Sequence, residues 1–457
     1  MKKTTALMIA LLLLYSCAAS VIAAESGMPT ADELDGYENV CLTYTFDYYN
    51  SYNEMGAHTV EDLLPYVGYY DRSGLLKDYF FDSFLFLPCV SFGPSGGSMV
   101  GSFADPSNLL DWTSYIDDTF KEGYNVDALN TAFGQVKDEM QDASDKKAGV
   151  FFTILYPIHT QTNFGSINGE HLDFSSNDDR KKAVKWMIDE QISRYTDGGY
   201  ENLDMVGFYW FEEYLFNYEH TQKDIELLNY TADYLHSLGL KFIWIPWYQA
   251  YGSTDWKELG FDVACMQPNL FWADQPDYNR VRQSINYSKQ YGLGMEMEVD
   301  PLAFHSKEHF NRYLLYLEDG MKYGAMDSIK MYYQDKKPAA FGTASKSEEF
   351  QMRVIYDLTY KYAKGTLTES DIDNARNGKY PEYSEQPEQP ETGKIGDINS
   401  DGVIDTYDYV LCKRIYFETY YPTAEERILA DVNRDGTIDV YDCILVRRHY
   451  FGTYVIR

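Results

Sequence analysis

Basic residues are scarce in this chain, with 39 lysines and arginines against 71 aspartates and glutamates and a formal charge of −32 at pH 7. Long-range repulsion at that charge opposes encounters with a polyanion, so neither nucleic acid nor an anionic bilayer is an expected partner. Cysteine is sparse too: six in 457 residues, with no CxxC pair. That is no disulfide scaffold for so long a chain, and Cys41, Cys89 and Cys265, far apart in sequence, read as small buried side chains. The eight histidines form no HExxH or HxxEH pair, which leaves a catalytic zinc without its usual ligand set. A phosphate-binding glycine loop is missing as well, which argues against a nucleotide enzyme.

Only the first segment carries a long apolar run. "MKKTTALMIALLLLYSCAASVIAAES" has two lysines, an apolar stretch of roughly ten residues and small residues around Ala23 and Ala24, the build of a secretory signal peptide over 1–24. Leu14 to Cys17 also has the outline of a lipoprotein cleavage box that would leave Cys17 acylated, a second route of export. No later run approaches the roughly 20 apolar residues of a membrane helix, so no membrane insertion is expected and the mature protein should be secreted and extracellular.

At the other end the chain repeats itself. "GDINSDGVIDTYDYVLCKRIYFETY" at 396 and "ADVNRDGTIDVYDCILVRRHYFGTY" at 430 share fourteen identical positions at a shift of 34. Each copy spaces its oxygen ligands as a calcium loop of EF-hand type does, with Asp397, Asn399 and Asp401 at positions 1, 3 and 5 and Gly402 for the sharp turn. The Val403 carbonyl, Asp405 and Asp408 supply positions 7, 9 and 12, and Asp431, Asn433, Asp435, Thr437, Asp439 and Asp442 repeat the set. Position 12 is Asp rather than Glu, and no amphipathic helix is evident before either loop, so each unit reads as loop then helix. The segment 395–457 resembles the dockerin modules of cellulosome enzymes. The resemblance implies a small all-α domain that folds on two calcium ions and docks into the cohesin module of a scaffoldin. Loop positions 10 and 11, which in that family help choose the cohesin, are Thr406 with Tyr407 and Val440 with Tyr441. Whether Cys412 and Cys443 pair across the module stays open.

The stretch "GKYPEYSEQPEQPETGK" ahead of it is rich in Pro, Glu and Gln and lacks apolar periodicity, so 378–394 reads as an extended linker. The cargo, 28–377, alternates apolar runs of strand length with longer helical patterns. Candidate strands begin at 66, 84, 149, 205, 241, 262, 292 and 329, with helices over 179–195, 221–238, 276–291 and 306–323. Eight strands favour an α/β fold of the TIM-like (β/α)8 barrel type, with a doubly wound open sheet as the alternative.

Two strand ends carry acids that core packing alone would not place there. "MVGFYWFEE" ends the fourth candidate strand on Glu212 and Glu213, and "GMEMEVD" puts Glu296 and Glu298 on one face of the seventh. The C-terminal rim is where barrel enzymes carry catalytic groups, and two carboxyls across a sugar cleave a glycosidic bond. Aromatic and amide residues at other strand ends, Trp244, Trp247, Tyr248, Gln267, Asn269, Trp272 and Tyr333, are candidates for substrate binding. Asn168, Asp173 and Arg180, on and just beyond the polar loop after the third strand, are further candidates.

Strand-four and strand-seven glutamates resemble the large retaining glycosidase clan of (β/α) barrels, although Phe211 or Glu212 stands where that clan usually has Asn before its first acid. "GFYWFEE", "WIPWYQAYG", "GFDVACMQPN" and "GMEMEVD" more closely resemble a bacterial barrel family of unknown function with a GFYW-x-x-E stretch, which points to Glu213 over Glu212. The expectation is a secreted, cellulosome-associated glycoside hydrolase acting on a polysaccharide. The alternative is a non-catalytic carbohydrate-binding or structural barrel on the same dockerin.

Overall fold

The computed structural model describes residues 27–46, 57–89, 92–100, 104–215, 221–335, 340–381, 394–400, 402–417, 419–420, 422–433, 437–450 and 456. The segment 1–24 read as a signal peptide, most of 378–394 read as a linker, and Asp401 and Asp435 of the repeated loops lie outside them.

Eight parallel strands close into a barrel: β1 (Asn39–Thr45), β2 (Ser83–Pro88), β3 (Ala148–Ile154), β4 (Leu203–Trp210), β5 (Lys241–Trp244), β6 (Val263–Met266), β7 (Gly294–Glu298) and β8 (Lys330–Tyr333). β8 closes the ring by pairing with β1, Asn39 opposite Lys330 and Cys41 opposite Tyr332. The outer layer includes α1 (Val60–Val67), α2 (Leu109–Thr119), α3 (Asn125–Glu139), α4 (Asn177–Gly198), α5 (Thr221–Ser237), α6 (Arg280–Tyr291), α7 (Lys307–Lys322) and α8 (Phe350–Ala363). No helix among the described residues is long and apolar enough to cross a membrane.

The first predicted strand requires correction. The run "YVGYY" at 66 has strand-like composition, but Thr59 and Asp62 cap each other's backbone N–H groups and start α1, which runs to Val67. The rest, Gly68–Tyr70, pairs with Leu76–Tyr79 in a hairpin separate from the barrel. The true first strand is β1, whose apolar Val40 and Leu42 alternate with Asn39, Cys41 and Thr43. Its alternation is short and half polar, a weak signal against the strong aromatic run downstream.

Strand parity splits the core in two. Val40, Leu42, Leu85, Leu87, Phe151, Tyr209, Ile243, Val263, Cys265 and Met331 fill the barrel interior, while Phe84, Phe152, Phe208, Trp210, Phe242, Met295 and Met297 pack the layer shared with the helices. Seven strands thus supply apolar or aromatic side chains to the interior. β7 does not: with Met295 and Met297 turned outward, its inward positions are Gly294, Glu296 and Glu298.

Glycine is required at two interior contacts. A Cβ on Gly294 would lie 2.6 Å from the Cys265 Sγ and 2.5 Å from the Ile329 carbonyl oxygen, and one on Gly207 would lie 2.1 Å from the Lys241 carbonyl oxygen. The glycine of GFYW therefore lets β4 and β5 approach.

In the C-terminal module α9 (Thr406–Tyr416) and α11 (Val440–Tyr450) follow the two loops. A short α10 (Ala424–Ala430) precedes the second loop, started by the Thr423 and Glu426 capping box, where no helix was evident from sequence. Two small clusters hold the module: Ile398, Cys412, Leu429, Ala430 and Cys443, then Ile404, Val432, Val446 and Ile456.

Gly207→Ala should push β5 away from β4 and destabilise the barrel by about 1–3 kcal/mol or more. Denaturant midpoints of variant and parent measure this; equal midpoints would remove the close-approach argument.

Candidate active site and calcium loops

Glu212 and Glu213 diverge. Glu212 turns to the outer side of β4, in a small pocket with Tyr156, Trp210, Asp224 and Trp244. Asp224 there is in a buried ion pair with Arg180 at 2.5 Å and accepts the Tyr156 hydroxyl at 3.1 Å. Burial, then the charges of Glu213 and Asp224, raise the Glu212 pKa well above the usual carboxylate range. Glu213 sits half-buried at the barrel mouth near Gln267 and Glu298; burial, and after it the charge of Glu298, push its pKa up to about 7 against a lowering by the Gln267 amide.

The two β7 glutamates are held very differently. Glu298 accepts the Asn269 backbone N–H at 2.9 Å and the Tyr316 hydroxyl, and the nearby backbone N–H groups of Leu270 and Phe271 also favour its charged form. Tyr316 in turn accepts the Leu270 N–H at 3.1 Å, so a side chain from α7 and the turn after β6 fix this carboxyl together. Burial still raises its pKa to about 7. Glu296, only 4% exposed, has no hydrogen bond or ion pair among the described residues. Burial raises its pKa well above normal, and the charges of Glu298 and Glu213 raise it further. None of the three acids of the mouth is in an ion pair with a described basic residue.

Tyrosines close the rest of the ring. Tyr44 and Tyr333 stand edge to face at 5.6 Å, and Tyr333 meets Trp272 at 5.1 Å. Charge on Glu296 reaches both tyrosines and Tyr209. Trp272 is 40% exposed and donates its indole N–H to Asp300, while Trp247 is 42% exposed and leans on Tyr214 at 4.6 Å. Both indoles are open to a ligand at the C-terminal end of the barrel.

Other candidate residues lie elsewhere or act indirectly. Trp244 is corrected from the mouth to the outer layer, where it stacks on Phe261 at 5.0 Å and donates to the Glu212 carbonyl at 2.7 Å. Strand parity explains the error, since Trp244 follows inward-facing Ile243. Gln267 is buried and donates to the Ile245 carbonyl at 2.7 Å besides serving Glu213. Asn269 takes a left-handed φ of 53° that presents its N–H to Glu298, so its backbone is the useful part. Tyr248 is partly buried beneath the Arg280 guanidinium at 4.4 Å. Asn168 is exposed on the hairpin formed by 165–167 and 170–172, the Asp173 carboxylate accepts the Ser175 N–H, and Arg180 is used up by Asp224 and the Pro157 carbonyl. Tyr44 and Tyr316 were missed. The first lies on the strand misplaced from sequence, and nothing in the local pattern of α7 distinguishes the second from its buried neighbours Tyr313 and Leu317.

The two calcium loops are built alike. Asp408 takes the backbone N–H groups of Ile398 at 2.8 Å, Asn399 at 3.2 Å and Asp405 at 2.8 Å; Asp442 takes those of Val432 at 2.8 Å, Asn433 at 3.1 Å and Asp439 at 2.9 Å. Asp405 and Asp439 also cap α9 and α11 through the N–H groups of Tyr407 and Tyr441. Gly402 makes the turn at a φ of 94°. The donors are all oxygen, as a hard cation requires. Among the described residues no cluster of three or more His, Cys, Asp or Glu side chains forms a metal site, and position 5 of each loop falls outside them.

Residues 40–361, well over half of the chain, match the family described as a domain of unknown function (DUF4855). The chain belongs to the DUF4855 family. Behind the DUF4855 barrel, residues 395–449 match the dockerin type I domain. No curated protein matches the chain. Dockerin type I domains bind calcium as a class, and the loop oxygens of Asp397, Asn399, Val403, Asp405 and Asp408, with their counterparts from Asp431 to Asp442, are suited to hold it. The dockerin supports attachment through a cohesin in an extracellular cellulosome.

The acid cluster of the DUF4855 barrel should give its stability a characteristic pH dependence. As pH rises through the unfolded carboxyl value near 4.3, the unfolded chain loses protons that the folded mouth keeps up to about 7 for Glu213 and Glu298. Folded protein then binds more protons than unfolded, and stability falls across that window. Glu296→Gln removes a group whose pKa is raised in the same direction, so its stability relative to the parent should improve from pH 4 to pH 8. Denaturant melts at both pH values test this, and an unchanged difference would show that Glu296 is not strained by burial.

Proposed function

We propose that the DUF4855 barrel is a glycoside hydrolase that cleaves a polysaccharide between Glu213 and Glu298, carried to a cellulosome scaffoldin by its dockerin. The observation that carries this reading is the meeting of Glu213 with Glu296 and Glu298 at the barrel mouth, with no described basic partner and with two open indoles beside them. Hydrogen-bond donors favour the ionised form of a carboxyl, and Glu298 accepts two such bonds while Glu213 has only the Gln267 amide nearby. Glu298 is therefore the nucleophile or base and Glu213 the proton donor to the leaving oxygen. Glu296, buried beneath them, stays protonated and spares Glu298 a second neighbouring charge. Trp247 and Trp272 stack on sugar rings, Tyr248 and Tyr333 shape the flanks, Gln267 orients Glu213, and the backbone of Asn269 orients Glu298. Glu212, turned to the outer pocket, is outside the reacting pair.

The division of labour along the chain follows: a signal peptide over 1–24, the barrel over 28–377, a linker over 378–394 and the dockerin over 395–457. Thr406 with Tyr407 and Val440 with Tyr441 are exposed at the starts of α9 and α11, where they would meet the cohesin. Each loop holds one calcium ion, which ties its oxygens together and so fixes the helix that follows.

Glu213→Gln and Glu298→Gln should each lower kcat on a responsive polysaccharide by about 10²–10⁴ while binding persists. Parent activity should fall above about pH 7 as Glu213 loses its proton. Absence of hydrolysis by the parent across a broad glycan panel, with glycan binding retained, would replace the enzyme by the non-catalytic binding barrel.

Equilibrium dialysis should give two calcium ions per chain, one after Asp408→Ala, and none in chelator, with cohesin binding lost in step. A single ion in the parent would overturn the two-loop reading.

A further inference from the structure

The two buried cysteines of the dockerin stand against each other. The Sγ atoms of Cys412 on α9 and Cys443 on α11 are 3.3 Å apart inside the small core made with Ile398, Leu429 and Ala430. The other three described cysteines, Cys41, Cys89 and Cys265, are buried in the barrel region. We propose that Cys412 and Cys443 form a disulfide that staples the two loop-helix repeats together.

Repeat symmetry makes the juxtaposition informative. At the shift of 34, Cys412 corresponds to Val446 and Cys443 to Tyr409, so the cysteines are not copies of one another. Val446 and Tyr409 belong to the second cluster, so the corresponding position there is filled by an aliphatic and an aromatic side chain. Hydrophobic packing alone therefore suffices at one of the two related positions, while two thiols occupy the other. Closing the sulfurs to a bond of about 2.04 Å takes about 1.3 Å of movement, within reach of small rotations of two cysteine side chains.

The bond forms by exchange with a small disulfide, the oxidant class of an extracellular setting. One thiolate attacks the reagent sulfur and expels a thiolate. The second cysteine then gives up its proton and attacks the mixed disulfide, expelling another. Two protein thiols are oxidised and one small disulfide is reduced to two thiols. Since Cys412 is fully buried and Cys443 nearly so, attack requires the module to open, and the link should form faster in chelator than in calcium. It closes a loop that contains the whole second calcium loop, so it restricts the unfolded module more than the folded one.

The test uses the full chain incubated with oxidised glutathione, then denatured, alkylated and digested. The expected product is one peptide pair joined through Cys412 and Cys443, lost on reduction, within a monomer on a non-reducing gel. Oxidation should be several-fold faster in chelator, and the calcium concentration for half-maximal dockerin helicity should fall about tenfold or more relative to the reduced chain. Full alkylation of both cysteines after oxidant treatment, or a link only between chains, would overturn the proposal. Reduced and oxidised parent share one sequence, so no variant needs to fold; Cys443→Ser should in addition leave Cys412 fully alkylated.

Discussion

Everything at the barrel mouth depends on the cost of placing carboxyl groups where the fold limits their hydration and no described basic residue pairs with them. A carboxylate moved into such a place is penalised by lost hydration, and a second one nearby adds repulsion. Glu296 feels both effects and gains no hydrogen bond in return. The protein resolves this by keeping protons on the cluster at pH values where free carboxyls have lost them. A group that retains a proton near neutrality is also suited to general acid work, so the proposed chemistry draws on the same strain.

The closed barrel makes that strain tolerable. Seven strands fill the interior with apolar or aromatic residues, and the acids are confined to β7 and to the end of β4. The same geometry gives each acid a different surrounding. Glu298 is gripped by the turn after β6 and by Tyr316 from α7, Glu213 has only the Gln267 amide, and Glu296 has neither. Three carboxyls of one residue type thus become chemically distinct through their neighbours, which the proposed acid and base roles require.

Much of this was legible because period and position carry it. Strands of apolar residues alternating with long helical patterns revealed the barrel, and acids at the ends of two strands revealed the mouth. The duplicated calcium loops were plainer still, since their ligand spacing is fixed by the ion. Three things were not legible, each for a physical reason. β1 is half polar and short, so a louder aromatic run at 66 displaced it. Trp244 lies one residue past an inward-facing position, and a shift of one sends a side chain to the opposite face. Tyr316 reaches Glu298 from a helix eighteen residues later, a contact that only tertiary packing creates.

The two folded parts of the chain solve the problem of stability in different ways, and size is the reason. The barrel buries two concentric layers of side chains and can afford strained acids at its open end. The dockerin has two clusters of a few residues each, too little apolar surface to outweigh the conformational entropy of some 60 residues. Its backbone is instead tied by carboxylates: Asp408 and Asp442 each gather three N–H groups from their own loop, and Asp405 and Asp439 cap the helices that follow. Ties of this kind concentrate negative charge, which destabilises the module unless a cation enters. The order imposed on the loops and the demand for calcium therefore have one origin, and the helices that carry the exposed Tyr407 and Tyr441 are anchored at their first turns by Asp405 and Asp439 of the same loops.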